Sequence, residues 1–341
     1  MKETVLLGGY TRRTGKGIYQ GQLENNQLHD ITPYIEIGGP TYFTVDEKNQ
    51  RLFTIMTEGD QGGVAAYDLS GAQPKLISKV LQPGASPAYI AYDPNRQLLF
   101  DANYHKGLAN AYRIAPDGQL ALLDTLKHHG SGPKPEQDSA HVHYINLTPD
   151  QRLIVCDLGI DQVSVYDFEA DHFKPIATYQ TQPGFGPRHV VFNPNQSVVY
   201  LLGELSSQVT VLDYNVQTGA LTPIQTESTI PDNFTAHNGS AAIRISADGK
   251  FLYASNRGHN SITVFNITAD GRHIDLIQRI STEGDFPRDF NLDPSQKFIL
   301  AANQNSDNLT LYTRNPDSGF LTLLEKDISC PEIVCVNFLK A

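Results

Sequence analysis

The sequence predicts an all-β chain folded as a seven-bladed β-propeller of four-stranded antiparallel blades. Three observations carry the prediction: a turn-and-strand motif recurring at blade-sized intervals, no helical periodicity, and complementary part-blades at the two ends of the 341 residues. The motif reads DPNRQLLFDAN from Asp93, TPDQRLIVCDLG from Thr148, NPNQSVVYLLGE from Asn193, SADGKFLYASNRG from Ser246 and DPSQKFILAANQN from Asp293. A weaker copy, VDEKNQRLFTIM, starts at Val45. Taking Glu47, Pro94, Pro149, Pro194, Ala247 and Pro294 as equivalent points gives spacings of 47, 55, 45, 53 and 47 residues. Repeats of that period, each rich in short β-branched and aromatic runs, are the mark of propeller blades.

Within each copy a short strand enters the turn and an apolar middle strand follows it. A third strand comes next, read from VSVYDF, VTVLDY, ITVFNI and LTLYTR. Segments such as ALLDTLKH and FKPIATYQ supply a fourth. Bounding Asp, Asn, Pro and Gly residues place hairpin turns between them. Seven middle strands can be counted, but the first, at Val5–Tyr10, has no strand before it. CPEIVCVNFLKA, from Cys330 to Ala341, resembles the strand-entering segments and stops before another hairpin. It can close the ring by completing the N-terminal blade, which removes two exposed sheet edges. A single domain over 1–341 is therefore expected, whereas a many-stranded sandwich leaves the spacing and the matching ends unexplained.

Composition narrows the function. With 26 Lys and Arg against 37 Asp and Glu, the formal net charge is -11, which disfavours nucleic acid and anionic membrane as partners. No apolar run reaches the ~18–20 residues of a membrane span, and MKETVLLGGY lacks the longer apolar core of a secretory signal. Cys156, Cys330 and Cys335 form no CxxC and no even-numbered framework. Cys156 and Cys335, inside apolar strand-like runs, read as buried free thiols, and a reducing cytoplasm is the expected location. Oligomeric state is not legible.

The loops leading into the innermost strands are expected around one end of the central channel. They are IGGPTYF, GASPAYI, DSAHVHYI, GFGPRHV, NGSAAIRI, DFPRDF and CPEIVCV. Pro40, Pro87, Pro187, Pro287 and Pro331 recur there because a fixed φ suits entry into a strand. The residues after them do not repeat, and two are Arg188 and Arg288. Adding His143, His189, Glu204 and Arg257 makes a locally positive cluster of proton-transfer groups and anion clamps. Asp157 and Asn303 hold positions corresponding or adjacent to those of Glu204 and Arg257 after their middle strands, and with His189 and Arg288 they are candidate substrate contacts. HVH at His141 and His143 could offer two metal ligands, but the arginines oppose a divalent cation, so no metal is expected. No GxSxG elbow and no strand–turn–helix phosphate loop occurs. His128 lies in the long loop LKHHGSGPKPEQD, either a flap over the pocket or a plain solvent loop.

The marks HVHYINLTPD, DLGIDQVSVY, GFGPRHVVFNP, GELSSQVTVLDY, YASNRGHNSITVF and FPRDFNLDP resemble the seven-bladed lactonase family of propeller-type 6-phosphogluconolactonases and carboxy-cis,cis-muconate cyclases. The resemblance implies a catalytic set of His143, Arg188, Glu204 and Arg257, with Arg288 as an anion-binding neighbour. Two departures stand out. Gly203 precedes the glutamate where family members commonly have Asn, and Ala242 stands where an additional acid often occurs. The implied activity is cofactor-free hydrolysis of a sugar lactone, foremost 6-phospho-D-glucono-1,5-lactone. His143 or Glu204 would activate water, Arg188 and Arg257 would stabilise the oxyanion, and Arg288 would be available to the phosphate. A muconate cycloisomerase, a broad lactonase and a non-catalytic propeller binding a metabolite or protein are the alternatives.

Overall fold

The computed structural model describes residues 2–339. It contains seven antiparallel sheets of four strands each. In six of them the strands follow one another in sequence, with first strands Phe43–Asp46, Tyr89–Asp93, Val142–Leu147, Pro187–Phe192, Gly239–Ile245 and Pro287–Leu292. The seventh joins the two ends of the chain, with Ile333–Phe338 as first strand and Lys2–Gly9 as second. The expected closure by the C-terminal strand is thus present. A three-residue 3-10 turn, Pro135–Gln137, is the sole helical element among the described residues.

Asx turns explain the repeated Asp/Asn-Pro signature. Asp93 Oδ1 accepts hydrogen bonds from the backbone N–H of Asn95 at 2.9 Å and Arg96 at 3.1 Å. Asn193 does the same for Asn195, and Asp293 for Ser295. The side chain imitates a backbone turn, and the proline fixes the bend. In the copy that begins with Ser246, the hydroxyl accepts from Phe251 N instead.

Second strands such as Val198–Gly203 and Phe251–Arg257 are buried along their whole length, while fourth strands such as His172–Gln180 hold no buried residue. Full burial follows from having both faces of the strand covered. Leu252 and Ala254 pack with Tyr200, Leu202 and Phe265, whereas Phe251 and Tyr253 pack with Phe290, Ile299 and Tyr312. Alternation along the strand sends successive residues to opposite cores, so the sequence reads as an unbroken apolar run. Each fully buried large side chain contributes about 2 kcal/mol. Tyrosines staple one sheet to the next: Tyr200 donates to Gly271 O at 2.9 Å and Tyr253 to Gly319 O at 3.0 Å.

Two compact units are distinguishable. One comprises Met1–Leu7, Gln20–Ile31 and Phe185–Ala341, and the other Gly8–Tyr19 and Thr32–Gly184. The first unit is built on the two cores just described. The second contains its own, in which Phe53, Ile55 and Val64 pack with Leu99, Tyr112 and Ile114.

In the first unit Glu3 is buried beside Asp293. Burial, then the charge and hydrogen bond of Asp293, push the Glu3 carboxyl up to about 7. A carboxyl raised in the folded state favours folding below its unfolded value, near 4.5, and loses that contribution as pH rises through about 7. Glu3→Gln is therefore expected to be more stable than the wild type at pH 8, by about 2 kcal/mol, with the gain absent at pH 4. Denaturant titration of both proteins at the two pH values checks this, and equal stability at pH 8 would contradict it.

Candidate active site

Two positions of the repeat carry the polar side chains singled out in the sequence. The first is a β-bulge near the start of the first strand. Pro187 faces Gly203 and His189 faces Leu202, so Arg188 is the extra residue between them. His143 lies in the same shift between Val142 and Tyr144, and Arg288 between Pro287 and Asp289. A bulge leaves one residue out of the ladder and turns its side chain to a new direction, which is why bulges recur beside active sites. In Gly239–Ile245 the shift falls between Ser240 and Ile243 and holds Ala241 and Ala242.

The second position follows the end of the second strand. Asn103, Asp157, Gly203, Asn256 and Asn303 pair with Leu108, Gln162, Gln208, Ser261 and Asn308 respectively. Next in sequence come Tyr104, Leu158, Glu204, Arg257 and Gln304. Asp157 and Asn303 therefore stand one residue before the register of Glu204 and Arg257. They are 0% and 1% exposed. Asp157 accepts from His141 N at 2.7 Å, from Gly159 N at 3.0 Å and pairs with His128 at 2.8 Å. Asn303 donates to Thr282 O at 3.1 Å and Thr310 Oγ1 at 3.2 Å. Both side chains, expected as substrate contacts, brace loops, because their register faces the backbone of the adjoining loop.

In the first unit Glu204 bridges two arginines. Its Oε2 lies 2.7 Å from Arg188 Nε and its Oε1 2.7 Å from Arg257 Nη2. Both arginines are buried, and Glu204 retains 19% side-chain exposure. Backbone carbonyls complete the clamp. Arg188 Nη1 donates to Ala241 O, and Arg257 donates from Nε to Gly239 O at 3.0 Å and from Nη2 to Ser240 O at 3.3 Å. The Arg257 guanidinium also lies over the Phe286 ring, 5.1 Å from its centroid. Burial, opposed by Glu204 and reinforced by the charges of Arg257 and Arg288, brings Arg188 down to about 9. It stays charged at neutral pH. His189 lies with Arg188, its Nε2 3.3 Å from Nη1. A guanidinium has no acceptor, so this imidazole nitrogen is the accepting one.

The Gly-Pro loop before Arg188 is explained by close approach. Glu204 N donates to Gly186 O at 2.8 Å and Ser206 N to Phe185 O at 3.1 Å, pinning the loop against the turn that carries Glu204. Gly186 has φ +64° and a Cβ there would lie 2.5 Å from Leu205. At Gly203, where family members commonly have Asn, a Cβ would come within 2.8 Å of the Phe185 ring and 2.3 Å of Ser206 Oγ. Phenylalanine fills the space that a larger residue would need. Ala242 lies in the apolar core with Tyr253 and Phe290, so a carboxylate at that place would face hydrocarbon. The acid nearest in kind, Asp289, is committed to Arg244 at 2.7 Å and Val336 N at 2.9 Å.

In the second unit His143 is buried, its ring edge-on to Tyr104 at 5.8 Å. His141 stacks on the same tyrosine at 4.2 Å and bonds to Tyr104 O and to Asp138. Tyr104 occupies the register of Glu204 and Arg257 and was missed by sequence reading, although alignment of the second-strand ends could have found it. The 128–139 loop is anchored by two buried side chains. His128 is buried between Asp157 and Tyr166 Oη, and Gln137 Nε2 donates to Leu158 O at 2.8 Å. The three cysteines are buried and form no disulfide, and burial pushes the Cys330 thiol up to about 12. Among the described residues no group of three or more His, Cys, Asp or Glu could hold a metal ion, and no helix is long and apolar enough to cross a membrane.

The four-stranded blades present histidine and arginine at equivalent bulges, and glutamate and arginine at equivalent strand ends. The chain belongs to the family described as "Lactonase, 7-bladed beta-propeller", which it matches over residues 4–338. It is 36% identical to a 6-phosphogluconolactonase of Bacillus subtilis over 98% of this chain and 97% of that protein. Among solved structures it resembles a Lactobacillus plantarum protein at 50% identity and TM-score 0.97, covering all of both chains. A periplasmic gluconolactonase of Pseudomonas aeruginosa matches at 29% identity and TM-score 0.94, over 100% of this chain and 99% of the other.

Glu204→Gln would leave two buried guanidinium groups without their shared counter-charge, an expected loss of about 2–3 kcal/mol. Adding Arg188→Met should recover part of that loss, because one of the stranded charges is removed. Urea unfolding of the single and double variants checks the order, and a single variant as stable as the wild type would contradict it.

Proposed function

We propose that the protein hydrolyses a sugar lactone, with 6-phospho-D-glucono-1,5-lactone as the substrate and 6-phosphogluconate as the product. The observation that carries this reading is the Arg188–Glu204–Arg257 bridge. Three arginines, Arg188, Arg257 and Arg288, act together with one glutamate in a chain of net charge -11. The neighbouring acid Asp289 is paired with Arg244, and the two guanidinium groups on Glu204 outnumber its single carboxylate. Water adds to the lactone carbonyl carbon and gives up a proton, and charge develops on the carbonyl oxygen. The C–O ring bond then breaks and the ring oxygen leaves as a protonated hydroxyl. Preorganised guanidinium donors aimed at that oxygen lower the barrier without reorganisation.

Arg188 uses Nε and Nη1 on protein partners, and Arg257 uses Nε and Nη2. Nη2 of Arg188 and Nη1 of Arg257 are the nitrogens assigned to the substrate. Both oxygens of Glu204 are engaged in ion pairs, so taking a proton would cost one of them. Glu204 is accordingly given the orienting role. Water activation falls to His143, which enters the proposal from its place in the repeat. No metal or organic cofactor takes part. The buried free thiols support a cytoplasmic location, and small anionic or sugar-lactone molecules are the proposed partners.

A panel of phosphorylated and plain gluconolactones and carboxymuconates, assayed against the spontaneous background, tests the reading. Turnover of the lactones is expected to survive chelation. Conversion of muconates alone would replace this function with a cycloisomerase. Arg188→Lys should lower kcat/KM about 100-fold despite keeping the charge, because the planar fork that meets Glu204 and substrate together is lost. Near-normal activity would remove Arg188 from the clamp. His143→Gln should lower kcat by a similar factor, read from initial rates on the same lactone.

A further inference from the structure

Phe286 adopts a backbone conformation that other strand-entering loops give to glycine. The residue before the loop proline has φ +56° at Gly39 and +64° at Gly186. Phe286, before Pro287, has φ +67°. Glycine takes up that conformation without strain, whereas a Cβ there crowds the neighbouring carbonyl and a bulky side chain is rarely found. Such a residue persists only where its surroundings over-determine it, and strain of this kind concentrates at functional sites.

Within the first unit those surroundings lead to Arg257. Asn260 Oδ1 accepts from Phe286 N at 3.0 Å and from Gly258 N, the residue after Arg257, at 3.1 Å. The same side chain donates from Nδ2 to Asp285 Oδ1 at 2.8 Å. One asparagine thus ties the turn that follows Arg257 to the loop that carries Phe286. On the other side of the loop, Gln304 N donates to Phe286 O at 3.0 Å and Asn305 N to Asp285 O at 3.1 Å. The ring held in this way is half-buried, and the Arg257 guanidinium carbon lies over it, 5.1 Å from the centroid. That distance is within the range of a cation–π contact.

The ring acts on Arg257 where its other partners do not. Gly239 O, Ser240 O and Glu204 Oε1 meet the N–H groups along the edge of the guanidinium. Acceptors along the edge of a planar group resist sliding, and a ring against its face resists tilting. We propose that Phe286 is a positioning residue for the reaction: its ring sets the plane of the Arg257 guanidinium, and the strained backbone is what brings the ring there. The proposal rests on the lactonase reading for the charge that Arg257 meets, and on the geometry of Phe286 for the positioning.

The full chain as wild type, Phe286→Ala, Phe286→Gly and Phe286→Tyr tests it. Alanine removes the ring and keeps the strain, whereas glycine removes both. Phe286→Gly should therefore melt about 2 °C or more above Phe286→Ala. Both should lower kcat on 6-phospho-D-glucono-1,5-lactone about tenfold with KM little changed, and Phe286→Tyr should restore most of kcat. A side chain that only supports the fold would make activity follow stability, with glycine above alanine. The 15N–1H signal of Arg257 Nε, identified by its loss in Arg257→Lys, should carry a ring-current shift in the wild type and Phe286→Tyr that both small variants lack. Wild-type kcat in Phe286→Ala and Phe286→Gly, activity that follows melting temperature, or an Arg257 signal indifferent to the ring overturns the proposal, while lactone turnover in the same samples keeps the lactonase reading. A ring-dependent Arg257 signal in a protein that turns over no lactone would sustain the positioning and reject the lactonase reading.

Discussion

A single carboxylate shared by two buried guanidinium groups is the constraint on which the candidate site depends. Arg188 and Arg257 come from different sheets and are both withdrawn from water, a state that is costly unless opposite charge and hydrogen bonds replace the lost hydration. Glu204 supplies the charge to both, and the carbonyls of Gly239, Ser240 and Ala241 supply the acceptors. Each arginine keeps part of its fork uncommitted, and that remainder can meet a developing negative charge.

The backbone device behind this arrangement is the bulged first strand. In a regular ladder the residue after Pro187 would lie in strict alternation with its neighbours and could not leave the pairing. The extra residue at Arg188, and equally at His143 and Arg288, is released from it. Where the shift holds Ala241, its freed carbonyl accepts from Arg188. The same irregularity therefore presents a cation in one sheet and caps it from the next.

The repeat separates bracing from chemistry at the ends of the second strands. The last paired residue of a second strand turns inward to tie down a loop, as Asn103 does to Ala85 O, Asp157 to His141 N and Asn303 to Thr282 O. The residue after it is released and varies: Tyr104, Glu204 and Arg257 are three answers at one position. His128, on the loop read as either a flap or a plain solvent loop, is engaged in bracing through Asp157 and Tyr166.

The sequence alone determined the all-β class, the seven-fold period, the pairing of the chain ends and the identity of most polar residues at the candidate site. Those features are written in local chemistry: Asx-Pro turns, β-branched runs and residues that break a repeat. Tertiary structure decided which of two adjacent residues braces and which is released, separating Asp157 from Leu158 and Asn303 from Gln304. A shift of one residue reverses the facing of a strand side chain, and a bulge shows only in the pairing with a partner strand, so neither is readable from one strand's residues.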